Sequence, residues 1–390
     1  MKSDHMRSHA NTNHMKNQTN TNHMKKHVNT NHMKIATIVG ARPNFIKLAP
    51  VSKQIRERDI DEVIVHTGQH YNYEMDRIFF DQMGIAAPDY HLGIGSGSHA
   101  FQTGEMLKKI EEILQKEEPD AVIVFGDTNS TLAGGLAAAK LHIKCAHVEA
   151  GLRSFDKRMP EEINRVLVDH CSDLLLCPTQ TAVDNLKREG IVENVHLTGD
   201  VMVDAQKDCE RIAQSESHII ESLGLEIGDY YLATVHRASN TDDPQNLRAI
   251  AQALLELDDV VFPCHPRAEK CLREFGLWED VSRKIRVIKP VGYLDMLVLE
   301  KNAKKIVTDS GGVQKEAYLL GIPCITLRES TEWTETVDDG WNILVPPGED
   351  IASAIREFQP RHERQDVFGK GRASAMIVDL MEGLAGPGGS

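Results

Sequence analysis

From Lys34 onward, short apolar runs rich in β-branched residues alternate with longer stretches of helical periodicity. That alternation confines the chain to an α/β architecture built on parallel sheets. The runs that read as strands are IATIV (35–39), EVIVHT (62–67), AVIVFG (121–126), IKCAHVE (143–149) and DLLLCP (173–178). A second series begins near Tyr230 with YYLATVH and continues through DVVFPCH (259–265), KIRVIK (284–289), KKIVTD (304–309), PCITL (323–327) and NILV (342–345). A long helical, polar stretch over 201–225 separates them. Two series imply two Rossmann-like domains, at 34–200 and 201–367, with the last helix, 368–384, returning to the first. Ligands of open parallel sheets bind beyond the carboxyl ends of the strands, so a cleft between the sheets is the expected place for chemistry.

The 390 residues are 41% apolar, enough to bury a large core in two domains. No stretch approaches eighteen uncharged apolar residues and no apolar signal region opens the chain, so the expectation is a cytoplasmic protein with no membrane span. Seven scattered cysteines without a C-x-x-C pair read as reduced, buried thiols, and neither a metal nor a cofactor is expected. A formal charge of −14 disfavours nucleic acid as a partner, so any phosphate ligand must be held by local Arg, Lys and backbone amides. Residues 8–34 repeat one polar unit as SHANTNHMK, NQTNTNHMK and KHVNTNHMK, which predicts a disordered tail over 1–33. The terminal GLAGPGGS reads as a flexible end.

After the first strand, Gly40-Ala41-Arg42-Pro43-Asn44-Phe45-Ile46-Lys47 forms a tight turn into a helix whose first amides suit an anion, with Arg42 and Lys47 adding positive charge. The second and third glycines of a dinucleotide fingerprint are missing, which makes an NAD enzyme the inferior reading. Gly93-Ile94-Gly95-Ser96-Gly97 follows no clear strand and reads as a mobile loop. Asp127 ends a strand beside a helix start, where on its own it reads as a cap ahead of a catalytic group. Glu149 ends the next strand and sets a second carboxylate along the same sheet edge; an acid closing a buried apolar strand requires a partner or a task. In Met159-Pro160-Glu161-Glu162-Ile163-Asn164-Arg165, proline marks a helix start and Glu161 lies one turn before Arg165, the spacing of an ordinary surface pair.

In the second half, His236 and Arg237 follow a strand, and Thr308-Asp309-Ser310-Gly311-Gly312-Val313-Gln314 joins a strand to a helix. The glycines let a backbone approach a diphosphate, and the helix start favours its charge. Glu316, a little further along, is near enough to accept ribose hydroxyl hydrogens. His265-Pro266-Arg267 stands evenly between structure and ligand.

With GARP (40–43), GDTNSTLAG (126–134), HVEAGLRSFDKRMPEEINR (147–165), TVHRASN (234–240) and TDSGGVQKEA (308–317) in this order, the chain resembles the non-hydrolysing UDP-N-acetylglucosamine 2-epimerases over roughly residues 34–380. The resemblance implies a GT-B type fold, two Rossmann-like domains with parallel sheets facing a cleft. It implies interconversion of UDP-N-acetylglucosamine and UDP-N-acetylmannosamine by elimination of UDP to 2-acetamidoglucal and re-addition. A cytoplasmic homodimer serving polysaccharide biosynthesis is part of the same implication. Asp127, Glu149 and Glu161 become the acidic catalytic set, completed by Arg165 and His236. UDP contacts are implied for Arg42, Lys47, His236, Arg237, Tyr293, Ser310, Gly311, Gly312 and Glu316. Retaining UDP and the glucal implies closure, with a hinge near residues 199–203 and another before the last helix.

The chain departs from the family pattern in three places. Glu332-Trp333-Thr334-Glu335 stands where the family carries Glu-Arg-Pro-Glu, so Trp333 replaces a nucleotide-contacting arginine. Val291 and Met296 replace a uracil-side glutamine and phenylalanine. The run Gly68-Gln69-His70-Tyr71-Asn72-Tyr73-Glu74-Met75 is longer than the compact one of members that a second substrate molecule activates. A branch with a similar Glu-Trp element acts on a UDP-2,3-diacetamido-2,3-dideoxy-glucuronate, whose acid Arg153, Lys157 and Arg158 would meet. A GT-B glycosyltransferase is the competing class.

Overall fold

The computed structural model describes residues 32–40, 42–68 and 85–385, less the side chains of Arg42, Pro43 and Ala385. The repeat tail through residue 31, the run from Gln69 to Met75 and the last five residues lie outside the described residues.

Among the described residues, seven strands form the first sheet: β1 (Lys34–Val39), β2 (Asp61–His66), β3 (Tyr90–His91), β4 (Ala121–Phe125), β5 (Lys144–Val148), β6 (Leu174–Cys177) and β7 (Val195–Leu197). Six form the second: β8 (Tyr231–Thr234), β9 (Val260–Pro263), β10 (Arg286–Ile288), β11 (Lys305–Thr308), β12 (Cys324–Thr326) and β13 (Asn342–Leu344). Every pairing is parallel, in the orders β3-β2-β1-β4-β5-β6-β7 and β10-β9-β8-β11-β12-β13. Each apolar run named from the sequence overlaps one of these strands. The two short edge strands β3 and β7 carry no comparable run. Because β3 precedes it, the 93–97 glycine segment does follow a strand, contrary to the expectation.

Strands covered by helices on both faces are apolar at successive positions, and β1 shows why. Ile35 and Val39 pack with Phe45, Leu48, Val51 and Ile55 of the helix Arg42–Glu57, whereas Ala36 and Ile38 join Met106, Ile110 and Leu114 of the helix His99–Glu117. The second sheet repeats the scheme, with Ala233 and Val307 buried in one cluster and Leu232 and Ile306 in another.

The chain passes between the sheets twice at one place. Asp200 N–H donates to the Phe368 carbonyl at 2.8 Å. Gly199 and Gly369 adopt φ of 81° and 89° there, and a Cβ on Gly199 would lie 3.1 Å from the Phe368 carbonyl oxygen, so glycine alone suits the crossing. The last helix, Ala373–Ala385, then returns to the first sheet and buries Ile377, Val378 and Met381 against the helix Arg42–Glu57. Its first turn is capped by Asp204, which accepts from Ala373 N and Ser374 N at 3.2 Å each and from Ser374 Oγ at 2.6 Å.

All seven cysteines are free and six are buried. Burial pushes the thiols of Cys145, Cys177, Cys209, Cys264 and Cys324 up to about 12. Among the described residues no helix is long and apolar enough to cross a membrane, and no group of three or more His, Cys, Asp or Glu is arranged to hold a metal ion.

Candidate active site

In both sheets the strand order reverses beside the first strand, between β1 and β4 and between β8 and β11. The crevice at such a reversal is where open α/β sheets take ligands. Four of the loops singled out from the sequence leave from these strands.

At the first reversal, Phe125 pairs with Val148, so β4 and β5 end level and deliver Asp127 and Glu149 to the same edge. Asp127 is not the helix cap that its position suggested. Thr128 caps the helix Asn129–Lys140 in a reciprocal box with Thr131, which leaves the Asp127 carboxylate to pair with Arg165 Nη2. Asn164 fixes the Asp127 backbone by donating to its carbonyl at 2.9 Å.

Glu149 sits at φ 70°, a left-handed conformation that costs a non-glycine residue about 1–2 kcal/mol. Strain of this kind persists where the surroundings over-determine it, and here two lysines do so. Lys47 from the helix Arg42–Glu57 pairs with Glu149 Oε2, and Lys315 from the helix Gly311–Leu320 lies 3.6 Å from Oε1. Burial pushes the Glu149 carboxyl up, but Lys47 and then Lys315 outweigh it and hold the group down to about 2. Burial lowers the Lys47 ammonium, and Glu149, with Asp127 and Asp200, more than reverses the effect. A Cβ on Gly126 would meet Glu149 Oε2 at 3.3 Å and Lys47 Nζ at 3.5 Å, so the pair rests against the backbone one residue before Asp127. Arg42 opens the same helix as Lys47, and its side chain lies outside the described ones.

The helix Pro160–Cys171 begins at proline, as the sequence predicts, but pairs its arginine differently. Arg165 contacts Glu162 at 2.8 Å, not Glu161. Glu162 is buried and its carboxylate is fully engaged, accepting from Ser154 N and Oγ at 2.8 and 2.9 Å and from Phe155 N at 2.9 Å. Glu161 is exposed, and its side chain makes no hydrogen bond or ion pair among the described residues. The structure therefore brings Asp127, Arg165, Glu149 and Lys47 together, with Glu161 as an uncommitted acid on the first turn of the helix that carries Arg165.

At the second reversal, Asp309 is wholly buried after β11 and holds the loop after β8. It accepts from His236 N, Arg237 N and Asn240 Nδ2, and His236 Nδ1 lies 3.2 Å away. Ser310 caps the helix Gly311–Leu320 through Val313 N, so Gly311 and Gly312 supply its first amides. The Glu332 carboxylate lies against Gly311 and pairs with Arg328 at 2.9 Å. A carboxylate here is the company that a helix start and Arg237 favour. Glu316 is buried further along, facing Tyr293 and Glu300; burial, then the Glu316 charge, pushes the Glu300 carboxyl well above its ordinary value.

The profile of the UDP-N-acetylglucosamine 2-epimerase family matches residues 53–382. The chain belongs to that family. A UDP-N-acetylglucosamine 2-epimerase homolog of Methanococcus maripaludis is 57% identical over 357 residues, which cover 90% of this chain and 100% of the relative. A UDP-2,3-diacetamido-2,3-dideoxy-D-glucuronate 2-epimerase of Pseudomonas aeruginosa is 48% identical, over 90% of this chain and 100% of its own length. The crystal structure of the Methanocaldococcus jannaschii UDP-GlcNAc 2-epimerase, in complex with UDP-GlcNAc and UDP, matches with a TM-score of 0.79 at 46% identity, covering 90% of this chain and 99% of that one.

Within the epimerase fold, four supporting residues escaped the sequence reading. His147 is fully buried in β5, its Nδ1 at 2.7 Å from Asp169 and its Nε2 at 2.7 Å from the Gly126 carbonyl. Both nitrogens therefore face oxygen atoms, which fixes the ring between β4 and the helix Pro160–Cys171. Asp169 and Asp309 are acids on or beside apolar elements, the one signal that could have marked them. Lys315 lies inside TDSGGVQKEA, where a lysine on a helix reads as surface.

Proposed function

We propose that the chain is a non-hydrolysing 2-epimerase that interconverts UDP-N-acetylglucosamine and UDP-N-acetylmannosamine. The observation that carries this reading is the pair Asp127 and Glu149, level at the first reversal and joined through Lys315 to the helix whose Ser310-Gly311-Gly312 start suits a diphosphate.

C2 of an N-acetylhexosamine has no adjacent carbonyl, so its proton is not acidic and simple removal fails. In the proposed reaction a carboxylate takes the C2 proton while the C1–oxygen bond to UDP breaks. The C–H electron pair becomes the C1=C2 bond of 2-acetamidoglucal, and UDP departs with the C1–O pair. A proton then reaches C2 from the opposite face as a UDP oxygen re-forms the bond to C1. Two acid/base groups on opposite faces of the ring are required, and Asp127, Glu149 and Glu161 are the candidates. Arg165 holds Asp127 in place. Arg42, Lys47, His236, Arg237 and the amides of Ser310, Gly311 and Gly312 take up charge as UDP leaves, and Glu316 with Tyr293 meets the nucleoside. In this reading residues 34–200 with 368–384 carry the acids, residues 201–367 hold UDP, and the enzyme is a cytoplasmic homodimer without a cofactor.

The 48% identity to the Pseudomonas aeruginosa enzyme favours a second reading, 2-epimerisation of a UDP-diacetamido-glucuronate. Of the three cations that this substrate's acid would meet, Arg153 is buried and held by Asp169 and Glu189, and Arg158 is paired with Asp156. Lys157 alone is uncommitted among the described residues.

Incubating each UDP-sugar with the purified chain and separating the products tests the proposal. UDP-N-acetylmannosamine formed from UDP-N-acetylglucosamine supports the first reading. Turnover of the diacetamido-uronate alone moves the case to the second. Free N-acetylmannosamine with UDP would make the enzyme a hydrolase and overturn both.

A further inference from the structure

Among the described residues, Lys315 is the one buried cation at the junction to which the proposed reaction gives no task. It is 4% exposed, on the second turn of the helix Gly311–Leu320. Its ammonium pairs with Asp200 Oδ2, lies 3.6 Å from Glu149 Oε1, and sits 4.0 Å from the centre of the Trp333 ring and 5.6 Å from that of Phe368. Asp200 belongs to the crossing between the sheets, and its Oδ1 accepts from Met202 N at 2.8 Å to cap the helix Val201–Glu216. One ammonium thus meets an acid of the first sheet, an acid and a phenyl ring of the crossing, and the Trp333 ring of the second lobe.

We propose that Lys315, held on the face of Trp333, is a latch that ties Glu149 to the UDP-side lobe and orients its carboxylate for proton transfer at C2. The inference rests on the epimerase reading above. A buried ammonium is costly to desolvate and is stable only with its partners in place. Separating the lobes would take Glu149 from Lys315 and leave the cation with Asp200 alone, so ionised Glu149 favours the joined arrangement. The ring face of Trp333 attracts the ammonium. The arginine that the resemblance predicts at this position would set a second cation against it, which gives the Trp333 replacement a physical reason.

The titratable groups facing Glu149 are Lys47 from the helix Arg42–Glu57, Lys315 from the helix Gly311–Leu320 and His147 from its own strand. Asp127 and Asp200 compete for Lys47. Taking Lys315 away leaves Lys47 in contact, so Glu149 becomes a weaker acid but stays ionised near neutral pH. Positioning is lost more than charge.

The test compares wild type with Lys315→Met, Lys315→Arg and the double variant Lys315→Met/Asp200→Asn, whose asparagine keeps the cap while removing the orphaned buried charge. Solvent deuterium incorporation at C2, kcat and KM across pH, and escape of 2-acetamidoglucal are measured. Misplacement by about an ångström costs on the order of a hundredfold in rate. Lys315→Met and the double variant should therefore lose kcat by about tenfold to a hundredfold with a smaller change in KM, move the acid limb of kcat to higher pH, and release glucal. Lys315→Arg should return the limb towards wild type. A folded Lys315→Met or double variant with wild-type kcat overturns the latch, and so does a slower variant whose pH limb and glucal retention are unchanged. Absence of C2 exchange in wild type would strike the epimerase reading instead, and is seen before any variant is consulted.

Discussion

Asp309 receives the backbone N–H of His236 at 3.1 Å on each carboxylate oxygen, so a wholly buried acid after β11 fixes a residue on the neighbouring strand's loop. Burial pushes the Asp309 carboxyl up, and the His236 and Arg237 donors more than offset this, holding it below the usual range. Asp309→Asn would turn one acceptor oxygen into a donor facing N–H groups. Leaving such buried groups unsatisfied costs about 1–3 kcal/mol. Calorimetric titration with UDP should show affinity weakened by about tenfold or more; unchanged affinity would remove Asp309 from the nucleotide site.

Glu161 and Glu162 are neighbours with opposite environments, and their amide variants should separate activity from stability. Glu162→Gln turns one of the two oxygens that accept from Ser154, Phe155 and Arg165 into a donor and should cost about 1–3 kcal/mol in unfolding free energy. Glu161→Gln should leave the melting temperature in place and abolish turnover. Melting curves and kinetics on both variants check this, and the reverse pattern would contradict it.

His66 is buried between Phe45 and His91, with ring centroids 4.9 and 4.5 Å away. Burial, then the His91 charge, lowers it from 6.5 to about 4. Between those values the unfolded chain binds a proton at this position that the folded chain refuses, so stability falls as pH drops through the window. The loss approaches roughly 3 kcal/mol by the lower end. Urea unfolding at pH 7 and pH 5 should show the decline, and His66→Phe should flatten it. An equal slope in the variant would assign the effect elsewhere.

Asp204 caps the returning helix from a different element, so Asp204→Ala should lower stability by about 1–2 kcal/mol. Chemical denaturation measures it, and a change within error would show the last helix held by its apolar face alone.

The strands were legible because sheets covered on both faces need unbroken apolar runs, and IATIV or AVIVF cannot be hidden otherwise. The two residues of β3 and the three of β7 lie at sheet edges and carry no such demand. At Asp127 two adjacent residues were each able to cap the helix, and which side chain turns inward is set by the approach of Arg165, nearly forty residues later in the chain. The Glu161 and Glu162 ambiguity has the same origin, since both i,i+3 and i,i+4 spacings reach Arg165; burial of Glu162 beneath Ser154 and Phe155 decided it. Lys315 was unreadable because its partners, Glu149 and Asp200, come from the other sheet and from the crossing.

In the proposed reaction Asp127 and Glu149 move the C2 proton. Deuterium entering C2 of UDP-N-acetylglucosamine in deuterated water, followed by proton NMR, tests it most directly. Wild type should incorporate deuterium, and Asp127→Asn and Glu149→Gln should each fall by at least about a hundredfold. Near-normal incorporation in both folded variants would contradict it.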